Sequence, residues 1–260
     1  MAIDRLVVGV DLSPGCLAAV DWSVREARRR DASVILVHSL EPDSDRETPT
    51  DVAGALLETF RDRVRDLAPH VDLRLVITHN EPVAALVDAS AHAGLVVLGS
   101  RGRAGFTDSA LGSVAQQVIV RAACPVVVVP PDGPRTRLHP RPERIVAGLP
   151  ADVGVELLDC AAELAWSRSA ILHLVPLPDD ESAPRTMTRA TTYIGHRYPG
   201  VRLDVAPVTG DDPLATATRD ADLLVVGCHH SDEAFGCRTG DIAAQALLEA
   251  TGPVVLVGAG

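Results

Sequence analysis

The chain repeats itself, and the repeat limits what it can fold into. Arg5-Leu-Val-Val-Gly9 is answered by Arg144-Ile-Val-Ala-Gly148, and Val34-Ile-Leu-Val-His38 by Ala170-Ile-Leu-His173. Asn80-Glu81-Pro82 is answered by Asp211-Asp212-Pro213, and the apolar run ending in Gly99 by the run ending in Gly227. Cys124-Pro125 with its four valines is answered by Gly252-Pro253-Val-Val-Leu-Val257. Self-similarity at this spacing means two copies of one domain of about 120–140 residues. The boundaries fall at 1–132 and 143–260, around a linker at 133–142 that is rich in Pro and Arg and has no apolar period.

Within the first copy, short apolar runs alternate with segments of helical period. Strands are predicted over Arg5–Val10, Ser33–His38, Asp72–Ile77, Leu95–Leu98 and the valines after Pro125. Helices are expected from Pro14 to about Arg30, from Thr50 or Asp51 to about Ala68, from Pro82 to about His92, and after Ser113. Ser13 reads as an N-cap with Pro14 at the first helical position. Aromatic residues are only 3% of the chain, so the core must be built from Ala, Val and Leu, which suits a buried parallel sheet covered by helices. The fold class is α/β: two tandem domains, each a five-stranded parallel sheet flanked by helices, Rossmann-like in type. Val126–Val129 and Val254–Val257 are expected to be exposed edge strands, open to further pairing.

The stretch from Leu95 to Ser113 reads strand, glycine-rich loop, helix start, with Gly99, Gly102 and Gly112-Ser113 as its punctuation. Such a layout suits an anion. The first N–H groups of a helix have no partner inside it, and the helix dipole adds partial positive charge there. Glycines let backbone approach phosphate closely. Arg101 and Arg103 lie in the loop. The chain has no lysine, so the lysine of a GxxxxGK[ST] loop is missing, and any phosphate must be held by amides, hydroxyls and arginine. A glycine-rich surface loop that binds nothing has the same composition.

A net charge of −11 argues against nucleic acid or an anionic membrane as partner, and no apolar run reaches the ~20 residues of a membrane helix. The first residues lack a signal-peptide layout, and five cysteines at irregular spacing suit reduced thiols in the cytoplasm. Cys16 reads either as oxidisable or as a small buried residue, and His38 as a packing or hydrogen-bonding residue rather than a catalytic base. Arg28-Arg29-Arg30 is expected to be a solvated helix end. Cys228, His229, His230, Asp232 and Cys237 gather metal-ligand types, but their spacing fits no regular zinc pattern. They read more simply as a decayed copy of the glycine loop.

Both halves resemble the universal stress protein family, and the chain is similar to its tandem two-domain members. The resemblance rests on Gly99-x2-Gly102-x9-Gly112-Ser113, on Val7-Val-Gly-Val-Asp11-x-Ser13, on the strand ending in His38 and on Cys124-Pro125 with four valines. It implies an ATP-binding regulatory protein with nucleotide at the carboxyl ends of the strands. Asp11 would accept from the adenine amino group, with Ser13 beside it in the same motif. Val10 and the backbone of Ser39 would border the base, and Leu98 and Gly99 the ribose. Arg101, Gly102, Gly112, Ser113 and Val114 would hold the phosphates, with Mg²⁺ or Mn²⁺ bridging them. It also implies pairing of the two halves as an intrachain pseudo-dimer, a homodimer of chains, and a regulatory protein partner.

The second half departs from this pattern. Pro150 stands where Asp11 does, His230 replaces the second glycine, and Asp241 replaces the serine. One competent site is therefore expected, in the first half. No residue stands out to position water, so any ATPase or phosphotransferase activity is slow. A scaffold or chaperone-like protein without nucleotide is the remaining alternative.

Overall fold

The computed structural model describes residues 3–11, 13–40, 50–100, 111–131, 142–177, 182–205, 221–228 and 252–258, with isolated positions between them. Arg101, Gly102, most of the linker, the 211–213 segment and the run from His229 to Asp241 lie outside the described residues. The chain divides into two compact units, 2–133 and 134–260.

The first unit runs β1 (Arg5–Gly9), α1 (Pro14–Arg30), β2 (Ser33–Ser39), α2 (Thr50–Leu67), β3 (Leu73–Thr78), α3 (Pro82–Ser90), β4 (Leu95–Gly99), α4 (Ser113–Arg121) and β5 (Val126–Val129). All strands are parallel, in the order β3-β2-β1-β4-β5. Helix α1 packs against α2, and α3 against α4, so helices form a layer on each face of the sheet. Leu95, Val96, Val97 and Leu98 of β4 are all buried, as both faces of a covered strand require. Each contributes on the order of 1.5–3 kcal/mol of burial. The sequence boundaries shift by a residue or two at most elements.

The second unit runs β6 (Arg144–Leu149), α5 (Val155–Ser167), β7 (Ile171–Pro176), α6 (Ala183–Arg197), β8 (Arg202–Asp204), β9 (Leu223–Cys228) and β10 (Val254–Gly258). Its strands are also parallel, in the order β10-β9-β6-β7-β8. In both units the order reverses direction beside the first strand, between β1 and β4 or between β6 and β9. No helix among the described residues is long and apolar enough to cross a membrane.

Four expectations need correction. Ser13 occupies the N-cap of α1 but its side chain makes no cap bond, because its hydroxyl is turned to Asp11. Arg30 is not a solvated helix end: its side chain is 8% exposed and its Nε donates to the buried Glu26 at 2.7 Å. The valines of β5 and β10 are buried, not exposed, with α1 and α4 packing on β5 and α5 on β10. Finally, His173 is not the counterpart of His38. Register pairs His173 with Val146, whereas Val7, the residue equivalent to Val146, pairs with Ile35. His38 stands near the carboxyl end of its strand; His173 lies in the sheet interior.

His173 is buried 3.1 Å from Asp204 Oδ2, and Arg144 Nη2 lies 3.4 Å from the same oxygen. Neither ring nitrogen makes a well-formed hydrogen bond. Burial, with the Arg144 charge, holds the imidazole below its ordinary range, against the pull of Asp204. A depressed folded-state pKa favours the neutral ring, so stability is present above the ordinary imidazole range and is lost as pH falls through the folded value. Between about pH 7.5 and about pH 5.5 the urea midpoint of the wild type should fall further than that of His173→Leu. Equal falls in the two proteins would remove His173 from the pH dependence.

Candidate functional site

Open α/β sheets bind ligands outside the carboxyl ends of the strands, where the strand order reverses. In the first unit that point lies between β1 and β4. Gly9 pairs with Val37 and Val8 with Val97, so Val10 and Asp11, the end of β2 and the end of β4 reach one level of the sheet. Of the eleven residues expected at the site, the structure describes nine; Arg101 and Gly102 lie outside the described residues.

Asp11 sits in a tight turn. Its Oδ1 accepts from the Ser13 N–H at 2.9 Å and from the Ser13 hydroxyl at 2.5 Å. Two donors on one oxygen hold the carboxylate in a single rotamer. Ser13 thus acts through Asp11. Beneath the turn, the Cys16 thiol lies 3.0 Å from the carbonyl oxygens of both Asp11 and Ser13. Burial, with the Asp11 charge, pushes that thiol up to about 12. The Cys16 group is therefore a protonated donor tying down the turn, and the oxidisable reading loses its thiolate. His38, buried at the other side, places Nδ1 2.8 Å from the Val10 carbonyl oxygen. The Ser39 hydroxyl donates to the Asn80 carbonyl and so fastens the end of β2 to the turn before α3. Glu81 caps α3 there, accepting from the Ala84 N–H at 3.4 Å.

At the end of β4, Gly99 faces the first turn of α1. A Cβ on Gly99 would lie 2.9 Å from the backbone C and O of Gly15. Only glycine allows that approach. Ser100 follows: its N–H donates to the Val129 carbonyl at 2.9 Å, and its carbonyl accepts from the Gly112 N–H at 3.0 Å. The start of α4 is thereby tied to the residue after Gly99, across the intervening loop. Gly112 is the N-cap of α4 and has no side chain to cap it. Gln116 N–H bonds back to the Gly112 carbonyl at 3.1 Å. No acceptor among the described residues meets the N–H groups of Ser113, Val114 and Ala115. Ser113 is exposed. Three open amides at a helix start, with a hydroxyl beside them, suit an anionic group.

Comparison with known proteins bears on this arrangement. Residues 2–130 match the Universal stress protein family. The whole chain is similar to two universal stress proteins of Mycobacterium tuberculosis, Rv2028c and Rv2623. The first is 28% identical, over 97% of this chain and 95% of its own length. The second is 27% identical, over 96% and 95%. The chain belongs to the universal stress protein family. A universal stress protein from Archaeoglobus fulgidus shares the fold, with TM-score 0.73 and 15% identity over 98% of this chain and 96% of that one.

The second unit keeps the fold but alters the crevice. Pro150 stands at the position of Asp11, and its carbonyl accepts from the Val153 N–H at 3.1 Å. A Cβ at Gly227, the counterpart of Gly99, would meet Leu157 Cδ1 at 3.2 Å and Pro150 Cγ at 3.9 Å, side chains where the first unit has backbone. Gly148 does not differ in this way: Leu177 and Leu214 lie 3.0 and 3.4 Å from a Cβ placed there, much as Leu98 and Leu86 lie 2.6 and 3.3 Å from one at Gly9. Thr186 and the Arg189 guanidinium of α6 donate to the carbonyls of Ala151 and Val153, clamping the loop after β6. Beside Gly227, then, the second unit has apolar side chains, and it lacks the Asp11 carboxylate. The proposed metal cluster is described only at Cys228, which is buried; its other members lie outside the described residues.

His38 is the hydrogen-bonding residue expected from the sequence, but its partner, Val10, and the two carbonyls that Cys16 meets are set by the fold. The Cys16 contacts close a local turn, whereas the His38 contact spans 28 residues. Two outcomes follow for this universal stress protein. Gly99→Ala must push the first turn of α1 and should lower stability by about 1–3 kcal/mol in urea denaturation; an unchanged midpoint would show that α1 yields freely. Iodoacetamide at about pH 8 should leave Cys16 unlabelled in the folded protein and label it after unfolding, read by mass spectrometry. Rapid labelling in the folded state would contradict the buried thiol.

Proposed function

We propose that the chain is an ATP-binding regulatory protein, with nucleotide held by the first unit, Mg²⁺ or Mn²⁺ on the phosphates, and partner choice set by the nucleotide. The observation that carries this reading is the meeting of three features at one end of the sheet: the Asp11 turn, the end of β2 at Ser39, and the open N-terminus of α4. Asp11 accepts from the adenine amino group; Ser13 orients Asp11. Val10 and the Ser39 backbone border the base, and Leu98 and Gly99 the ribose. Gly112, Ser113 and Val114 hold phosphate by N–H and hydroxyl groups, joined by Arg101 and Gly102 of the same loop. The donors present are amides and hydroxyls, which fit phosphate oxygens. Among the described residues no group of three or more His, Cys, Asp and Glu forms a cage, so the cation would be held largely by the phosphates themselves.

Pro150 in place of Asp11, and the Leu157 and Pro150 side chains beside Gly227, favour a single site per chain. The same reading includes a homodimer, cytoplasmic residence and at most slow ATP hydrolysis. To test it, the purified protein is denatured and the released adenine nucleotide is quantified, then ATP with Mg²⁺ is titrated back. One ATP per chain is expected, with affinity weakened at least about tenfold in Asp11→Ala and in Gly112→Ala/Ser113→Ala. Two per chain would show that the second unit binds as well. No binding under either condition would overturn the reading and leave a nucleotide-free scaffold.

A further inference from the structure

The β1–β2 ladder stops one rung early. Its last register pair is Gly9 with Val37, and its last bond runs from the Val10 N–H to the Val37 carbonyl at 3.0 Å. The next rung of a parallel ladder would join the Ser39 N–H to the Val10 carbonyl. That bond is not formed among the described residues. The Val10 carbonyl is instead 2.8 Å from His38 Nδ1. A carbonyl can only accept, so Nδ1 carries a proton and donates it to Val10. His38 is 4% exposed. The Ser39 side chain takes no part in this, because its hydroxyl is already committed to the Asn80 carbonyl.

We infer that His38 is a positioning residue for the base pocket: it withdraws the Val10 carbonyl from the ladder and so keeps the Ser39 N–H open toward the ligand. This rests on the ATP reading above and deepens it. An open Ser39 N–H at the sheet level of Asp11 supplies a donor to accompany the carboxylate acceptor. That pair matches the adenine edge, which offers an amino donor and a ring-nitrogen acceptor. A 6-oxo purine offers an acceptor and an N–H at the same places, opposed on both counts. Without His38 the Val10 carbonyl is left to take the Ser39 N–H, and the ladder closes over the donor.

The test compares wild type, His38→Asn and His38→Leu. Asn keeps an N–H donor at the Nδ1 position; Leu keeps bulk and removes the donor. Amide exchange of Ser39 is followed by NMR without ligand, and ATP and ITP are titrated by calorimetry. Ser39 should exchange quickly in wild type and His38→Asn and slowly in His38→Leu. His38→Leu should bind ATP about tenfold more weakly and lose about tenfold of its preference over ITP, while His38→Asn retains both. A protected Ser39 amide in ligand-free wild type would overturn the proposal with no variant needed. So would wild-type affinity and preference in His38→Leu, or loss in His38→Asn equal to that in His38→Leu. If wild type binds no ATP, the ATP reading fails by itself, and Ser39 exchange still reports whether His38 holds the ladder open.

Discussion

The parallel pairing of β1 with both β2 and β4 is the constraint on which the first unit depends. It brings three strand ends to one level and buries the interiors of β1, β2 and β4 under two layers of helices. Backbone groups inside the sheet are satisfied by the ladder. Those at its carboxyl edge must find other partners or remain open. The chain spends its polar side chains there: Ser13 on Asp11, Cys16 on two carbonyls, His38 on Val10 and Ser39 on Asn80. Each of these bonds fixes a group next to the crevice, which leaves the crevice itself rigid and polar.

The two units keep one fold and differ at the crevice. Strand order, parallel pairing and the point of reversal are the same in both. Fold is set by the Val- and Leu-rich strands, which tolerate exchange of one aliphatic residue for another. Ligand chemistry is set by a few positions at the strand ends. Proline at position 150 stands where the first unit has a carboxylate, and the Leu157 and Pro150 side chains lie beside Gly227 where backbone lies beside Gly99. Shared family membership therefore speaks for both folds and not for two equivalent sites.

Long-range polar contacts also stiffen each unit away from the crevice. Glu26 is buried with Arg30 as its partner, and such a pair is strongly destabilising to break from one side. In the second unit, Arg144 and His173 both approach Asp204, adding polar contacts to the ladders that join β6, β7 and the three-residue β8. A strand that short has little apolar surface to hold it, so its attachment leans on the aspartate at its end.

Much was legible in the residues alone. Helix and strand positions followed from period, and the repeat from matched segments. The crevice followed from glycines at a strand-to-helix junction, since these are local signals whose physics acts within a few residues. The roles of Asp11 and Gly112-Ser113 rested on motif resemblance. Other features could not be read in this way. His38 and His173 look alike in sequence because both follow an aliphatic run, and only strand register separates an edge position from an interior one. The arginines at 28–30 look uniformly solvated until α1 is packed, when helix phase turns Arg30 inward to Glu26. By itself, then, the sequence determined the elements, their order and the duplicated fold, through periodicity and backbone propensity. Only the tertiary structure decided which carbonyl each buried donor meets, because those partners lie on strands and turns that the chain brings together from far apart.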